Sequence, residues 1–168
     1  ASARLQALLE DVLTLSRARH AAAPTEPLDA QRCAQDVLER LASKLAQTQA
    51  VVRVDEDLPR LRADRTWATQ ALYNLTLNAL KFTREGQRPD LEIAGYRDGR
   101  EVGLVGREVE GTGAGLAIVR AIAERHGGRA WVQARDGGGS EFIVTFGPGW
   151  ESQEEPDGDG RRNPSDHH

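Results

Sequence analysis

Two features of the sequence predict an α+β fold, a two-layer α/β sandwich with helices on one face of a mixed or antiparallel sheet. The predicted strands come in pairs joined by short turns, and helical patterns lie between the pairs. Of the 168 residues, 39% are hydrophobic and 29% are charged, which is typical of a globular protein. A further amphipathic helix precedes this unit.

In residues 3–19, apolar side chains recur at spacings of three and four among charged ones, which predicts the first helix. Residues 21–27 contain two prolines and several small residues and predict a linker. Because the linker separates this helix from the rest of the chain, we expect its apolar stripe to pack against another helix, from a second chain or from a segment outside this sequence. The stripe consists of Leu5, Leu8, Leu9, Val12, Leu13 and Leu15.

A second helix is predicted from Leu28 to about Gln49, with Asp29 as its N-terminal cap. Its buried face contains Cys33, the single cysteine of the chain. One cysteine excludes an internal disulfide framework and a multi-cysteine zinc site, and it indicates a reducing compartment. We expect Cys33 to belong to the core.

Two short strands are predicted next, at 50–54 and 59–63, bridged by an acidic Asp-Glu-Asp-Leu turn. Asp64 is placed to cap a helix that runs to about Phe82. The remaining chain predicts a hairpin, a helix ended by two glycines, and a last strand pair. Their ranges are 91–96, 101–105, 115–126, 129–134 and 141–146.

The net charge of −4 comes from the C-terminal tail. From Trp150 onward the chain has six acidic and two basic residues, and removing them from the totals of 26 and 22 leaves 20 of each. The neutral body excludes, on composition, a general nucleic-acid or membrane-surface binder. We expect residues 149–168 to be a disordered acidic tail, and no apolar run is long enough to span a membrane. The chain has no methionine, so we expect it to be part of a longer protein.

The predicted helix after Asp64 contains Asn74, Asn78 and Lys81 along one face. Asparagine is unfavourable inside a helix, so two on one stripe suggest a ligand. Their amide oxygens suit a hard cation such as Mg²⁺, and Lys81 could neutralise a phosphate. The alternative is a solvated polar stripe.

A second candidate site is the run Gly111-Thr112-Gly113-Ala114-Gly115-Leu116, which leads directly into a helix. Alternate glycines at a helix N-terminus let backbone N–H groups approach a phosphate. A flexible loop is the alternative for one glycine cluster. A dinucleotide-binding unit is a further alternative, although the third glycine of its fingerprint would fall on Leu116 or Ile118.

Together, the asparagine helix, the hairpin and the glycine run resemble the ATP-binding catalytic domain of sensor histidine kinases, in which they correspond to the N box and the second glycine box. The resemblance covers residues 27–148 in order. It includes Asp57-Leu58-Pro59 before the N box and Glu124-Arg125-His126-Gly127-Gly128 after the glycines. Residues 3–19 resemble the second helix of the family's dimerisation hairpin. Within the family, Arg84-Glu85-Gly86 and Gly106-Arg107-Glu108 look most like the kinases of bacterial phytochromes.

The resemblance implies that Asn78 coordinates Mg²⁺ on the ATP phosphates, with Asn74 nearby and Lys81 on phosphate. Phe82 would line the nucleotide pocket, and the glycine box would hinge a lid and bind the phosphates. The residues of that box are Gly111, Thr112, Gly113, Gly115 and Leu116. In related ATPases the position of Asn74 is a glutamate that activates water. An amide cannot serve as that base, so phosphoryl transfer to a protein is favoured over hydrolysis.

Two parts of the family pattern are missing. The adenine-binding aspartate box and the lid should lie between Val105 and Gly111, where the chain is too short. Either the segment is deleted, in which case ATP binding should fail, or it belongs to the protein but not to this sequence, which we favour because such lids are mobile. The phosphoacceptor histidine is also missing, since neither His20 nor His126 matches its position.

These observations predict four segments: half of a dimerisation hairpin (1–20), a linker (21–27), an ATP-binding catalytic domain (28–148) and the tail. The predicted function is Mg-ATP-dependent phosphorylation of a histidine on the dimerisation domain, for relay to a response regulator. We expect a homodimer through residues 3–19 and a missing first helix, in the cytoplasm. The alternatives are a degenerate, non-catalytic kinase-like module and a dinucleotide-dependent enzyme.

Overall fold

The computed structural model describes residues 2–20, 25–81, 86–107, 114–136 and 140–148. The helices in these ranges are α1 (Ser2–His20), α2 (Ala30–Arg40), α3 (Ala42–Thr48), α4 (Arg65–Lys81) and α5 (Ala114–Arg125). The strands are β1 (Glu26–Asp29), β2 (Val51–Val54), β3 (Arg60–Ala63), β4 (Asp90–Asp98), β5 (Glu101–Arg107), β6 (Ala130–Ala134) and β7 (Ser140–Pro148).

The main sheet has five strands in the order β2-β4-β5-β7-β6. Only the β2–β4 pair is parallel, and the other neighbours are antiparallel. Side chains alternate along each strand, so one face of the sheet carries the apolar residues that meet the helices. These residues include Leu91, Ile93, Leu104, Phe142, Val144 and Phe146. The mixed sheet with helices on one face confirms the predicted α+β fold.

The opposite face of the sheet has a small apolar cluster of its own. Ala94, Val105 and Ile143 are buried there, beneath Tyr96 and Trp131. The two aromatic rings meet edge to face, with their centroids 5.4 Å apart.

Three predicted helix caps form as expected, at the starts of α2 and α4 and at the end of α5. The backbone N–H of Gln31 donates to Asp29 Oδ1 at the start of α2, and that of Trp67 donates to Asp64 Oδ1 at the start of α4. At the end of α5, Gly127 has a φ of +76°. There the Gly128 N–H donates to the carbonyl of Ala123 in a Schellman motif.

The expected helix from Leu28 to Gln49 is wrong in detail. It breaks at Leu41 into α2 and α3. Its first two residues, with the last two of the predicted linker, form β1, which pairs antiparallel with β3. A four-residue strand gives little alternation from which it could be predicted.

The predicted pairing of the strands at 50–54 and 59–63 is also wrong, because β2 and β3 lie in different sheets. The Gln31 side chain holds the segment between them: its Nε2 donates to the Asp55 carbonyl and its Oε1 accepts from the Leu58 N–H. Pro59 follows and has no N–H for a ladder. A tertiary contact from α2 therefore replaces the hairpin.

The alternative of a dinucleotide-binding unit is wrong as well. Such a unit needs a sheet in which all strands are parallel, with β5 and β6 joined through α5. Here β7 lies between them and is antiparallel to both.

The first helix packs against α5 of the same chain through its C-terminal half, where Leu15 and Ala18 join the main core. From Leu5 to Leu13 its apolar stripe is exposed, with Leu5 at 70% and Leu13 at 48%. Within the described ranges, the expected helical partner is therefore α5 of the same chain, and it covers only the C-terminal part of α1. In the described ranges, no helix is long and apolar enough to cross a membrane.

Candidate nucleotide-binding site

The polar stripe of α4 is largely buried, whereas a stripe that faced only solvent would be exposed. Asn74 is 7% exposed and Asn78 is 8% exposed, among Leu72, Leu75 and Ala79 of the same helix. Lys81 ends the helix and is exposed. The alternative of a solvated stripe therefore does not hold for the two asparagines.

The two asparagines differ in their hydrogen bonds. Asn74 Oδ1 accepts from Gln70 Nε2 over 2.7 Å. Asn78 Nδ2 is buried and has no hydrogen-bond partner among the residues that the structure describes. An unpartnered buried polar group costs roughly 1–3 kcal/mol, so it is a natural contact for a polar ligand.

Helix α5 packs against α4 and brings the end of the predicted glycine box to the same region. Gly115 lies in the first turn of α5, and Leu116 is half-buried against the core. The other predicted residues of the site lie outside the described ranges. They are Phe82, Gly111, Thr112 and Gly113.

At the junction where the lid segment was expected to be missing, β5 is unbroken. Val105 and Gly106 pair with both β4 and β7, and the strand continues to Arg107. Arg107 forms ion pairs with Glu92 and, over 3.4 Å, with Glu141. Six residues, 108–113, then join β5 to α5, and they lie outside the described ranges.

The two histidines in the described ranges differ in their contacts. His126 Nε2 accepts from the Asp64 N–H over 3.0 Å, and its Nδ1 lies 2.7 Å from the Ile122 carbonyl. His20 is exposed at the end of α1, and its Nδ1 lies 2.8 Å from the Ser16 carbonyl. The structural role expected for His126 fits these contacts.

Sequence reasoning missed Gln70. It lies four residues before Asn74, the same spacing that separates Asn74 from Asn78, so the helical period alone could have added it to the stripe.

Comparison with known proteins agrees with this geometry. The sequence profile described as "Histidine kinase-, DNA gyrase B-, and HSP90-like ATPase" matches residues 63–148, which are 86 of the 168 residues. This range contains α4, the β4–β5 hairpin and α5.

Among curated proteins, the chain is 29% identical over 166 residues to the methanogenesis regulatory histidine kinase FilI of Methanothrix harundinacea, covering 85% of this chain and 19% of FilI. It is 29% identical over 179 residues to cyanobacterial phytochrome A of a Nostoc species, covering 92% of this chain and 23% of that protein. The chain thus spans about a fifth of the length of these relatives. Phytochromes are among the relatives, as the sequence predicted.

Two solved structures share the fold. Full-length ShkA in complex with AMPPNP has a TM-score of 0.65 and 26% identity, covering 87% of this chain and 36% of that one. Histidine kinase ThkA in complex with the response regulator protein TrrA has a TM-score of 0.69 and 22% identity, covering 90% and 49%. The predicted resemblance is confirmed: the chain belongs to the histidine kinase-, DNA gyrase B- and HSP90-like ATPase family.

Proposed function

We propose that this chain is the catalytic domain of a two-component sensor histidine kinase, which binds Mg-ATP on α4. The observation that carries the proposal is the buried amide of Asn78. Its Nδ2 lacks a partner in the described ranges, so no contact of that nitrogen holds the amide, and its oxygen can turn toward a cation. Asn78 lies on the same helix as Asn74 and Lys81, within the part of the chain that matches the ATPase family. The AMPPNP bound to ShkA supports the choice of nucleotide.

The residues present fit a magnesium–triphosphate group. An amide oxygen is a hard ligand that Mg²⁺ accepts while it retains waters and phosphate oxygens, so Asn78 would hold the cation. The exposed ammonium group of Lys81 would neutralise phosphate charge at the end of α4. Phe82 would line the nucleotide pocket. The backbone N–H groups of the glycine box would bind phosphate. That box consists of Gly111, Thr112, Gly113, Gly115 and Leu116. Bound Mg-ATP supplies the γ-phosphoryl group that is transferred.

The chemistry of Asn74 favours transfer to a protein over hydrolysis. An amide has no basic atom that can take a proton from water, so Asn74 can orient a phosphate but cannot activate a water molecule. The acceptor would be a histidine on a dimerisation domain, outside this sequence, because neither His20 nor His126 matches the acceptor position of the family. Both ring nitrogens of His126 also have backbone partners.

The wider role extends this proposal to the whole protein. Relay to a response regulator is supported by the complex of ThkA with TrrA. Homodimerisation would use the exposed apolar half of α1 with the missing helix of the hairpin. We place the domain in the cytoplasm, where ATP is available, and its single buried cysteine is consistent with a reducing compartment.

The short connection between β5 and α5 favours a second candidate, a kinase-like module that does not turn over ATP. With six residues between these elements, the adenine-binding aspartate of the family has no counterpart in this sequence. Contacts on α4 are to phosphates and cation, so they do not replace recognition of the base.

Calorimetric titration of the chain with Mg-ATP tests the proposal. We expect wild type to bind, and Asn78→Ala to lose about tenfold or more in affinity because the cation loses its amide ligand. The effect should disappear when EDTA removes the cation, which separates a metal ligand from a residue needed only for folding. Thr76→Ala is a matched control, since its hydroxyl donates to the Leu72 carbonyl within the helix.

Equal binding of wild type and Asn78→Ala in the presence of Mg²⁺ would contradict the proposed site. A titration with Mg-GTP distinguishes the second candidate: similar affinities for ATP and GTP, with no phosphoryl transfer to a dimerisation domain, would favour the non-catalytic module.

A further inference from the structure

Gln70 extends the polar stripe of α4 by one helical turn toward its N-terminus. Its Nε2 donates to Asn74 Oδ1 over 2.7 Å. Asn74 is 7% exposed, so little water competes for the acceptor of this hydrogen bond.

The bond determines which end of the Asn74 amide remains available. A side-chain amide has an acceptor oxygen on one side and an NH₂ donor on the other. Since the bond holds the oxygen on the side of Gln70, the NH₂ group on the other side is left to face a ligand. An NH₂ group donates to phosphate oxygens, whereas a cation requires the oxygen.

Asn78 lacks this constraint. Its Nδ2 has no hydrogen-bond partner in the described ranges, so no protein contact of that nitrogen determines which end of its amide meets the ligand. The two asparagines of the stripe are therefore chemically distinct, although the sequence presents them as equivalent.

We propose that Gln70 is a positioning residue, which orients the Asn74 amide so that its NH₂ group donates to the phosphates of the bound nucleotide. Asn74 is then a phosphate ligand, and Asn78 is the asparagine left to the cation. This inference rests on the proposed function, because it assigns separate roles to two residues of the same site.

The surroundings of Gln70 allow an informative substitution. Gln70 is half-buried and lines an open cavity of about 350 Å³ between α2 and α4, together with Arg40, Arg65 and Thr66. A carboxylate at this position would be hydrated, in a cavity that is lined by two guanidinium groups and by the carboxylates of Asp36 and Glu39, so Gln70→Glu should fold. It has the shape of glutamine but replaces the NH₂ donor with an acceptor.

In Gln70→Glu, the Asn74 amide should turn its NH₂ toward the new carboxylate and its oxygen toward the phosphates. We expect nucleotide affinity to fall about ten- to hundredfold, because a donor to a charged group is replaced by an acceptor. The loss should be similar with Mg²⁺ and with EDTA, since the contact is to phosphate. Calorimetric titration measures the affinity under both conditions, and Asn78→Ala should lose affinity only when Mg²⁺ is present.

The matched control is Gln35→Glu, which adds the same charge at an exposed position of α2 and should bind as wild type does. The amide resonances of Asn74, assigned with Asn74→Ala, supply a readout without nucleotide. We expect them to move downfield in Gln70→Glu, where the NH₂ group gains a carboxylate acceptor, and to be unchanged in Gln35→Glu.

A wild type that binds nucleotide, with a Gln70→Glu variant of equal affinity, would overturn the inference, because the NH₂ end of Asn74 would then already face residue 70. Unmoved Asn74 resonances would also overturn it. A wild type that binds no nucleotide would overturn the proposed function itself, and with it the phosphate role of Asn74.

Discussion

Cys33 lies on the face of α2 that meets α4 and is 1% exposed, with Thr69 Oγ1 donating to its sulfur over 3.6 Å. Burial raises the pKa of the thiol, and this effect is larger than the opposing one of the Thr69 hydrogen bond. A buried neutral thiol is a poor nucleophile, so Cys33 acts as a small core residue. This outcome confirms the prediction from the helical spacing.

Because the pKa of the thiol is raised, the stability of the domain should depend on pH in the alkaline range. The folded chain keeps the thiol proton at pH values where the unfolded chain loses it. The stabilisation is complete below the ordinary cysteine pKa and falls as the pH rises past it, by up to about 1.4 kcal/mol per pH unit. Urea unfolding of wild type and Cys33→Ala between pH 7 and pH 10 should show this decline in wild type alone. Parallel declines in both would contradict it.

At the scale of elements, His126 joins the end of α5 to the start of α4. Its Nε2 accepts from the N–H of Asp64, the residue that caps α4, and its ring packs edge to face against Phe146 of β7, with centroids 5.5 Å apart. This contact thereby joins α4 and α5, which supply the predicted nucleotide contacts, at the ends that lie far from the glycine box. Nε2 accepts this bond, so it is the ring nitrogen that carries no hydrogen.

Replacing His126 with alanine should therefore destabilise the domain by about 1–3 kcal/mol, because the Asp64 N–H loses its acceptor. Urea unfolding measures the change. His20→Ala is the matched control, since the exposed His20 bonds only within α1 in the described ranges, and its effect should stay within about 0.5 kcal/mol. Equal effects of the two substitutions would argue against the link between α4 and α5.

The elements differ in how far the sequence predicts them. Asp64 and the Gly127-Gly128 pair mark helix ends by local chemistry, so α4 and α5 were predicted within a residue or two. The Asp98-Gly99 turn likewise marked the β4–β5 hairpin. Strands β1 and β2 pair with partners distant in sequence, and the Gln31 contact that separates β2 from β3 comes from another element.

At the scale of the molecule, α1 is divided into a half that packs on α5 and a half that does not. The exposed half presents Leu5, Leu8, Leu9 and Val12, each at least 57% exposed. An apolar stripe of this extent is typical of a helix that pairs with another helix. It supports the proposed homodimer.

We expect the chain to self-associate through this stripe. Leu8→Glu combined with Leu9→Glu should weaken association by about tenfold or more, because two leucines lose their buried environment. Sedimentation equilibrium measures the dissociation constant. Gln6→Glu, on the same turn of α1 but outside the stripe, should leave it unchanged. A wild type that is monomeric at all concentrations would contradict this role of α1.

The sequence by itself determined the fold class, the site helix and the family, because caps, turns, spacing and the asparagine pair are local patterns. Only the tertiary structure decided that the polar stripe is buried, that Gln70 donates a hydrogen bond to Asn74, and that α1 packs on α5. The physical reason is that burial and hydrogen-bond partners depend on elements far apart in the chain. Spacing along one helix shows which residues share a face, but not which neighbour that face meets.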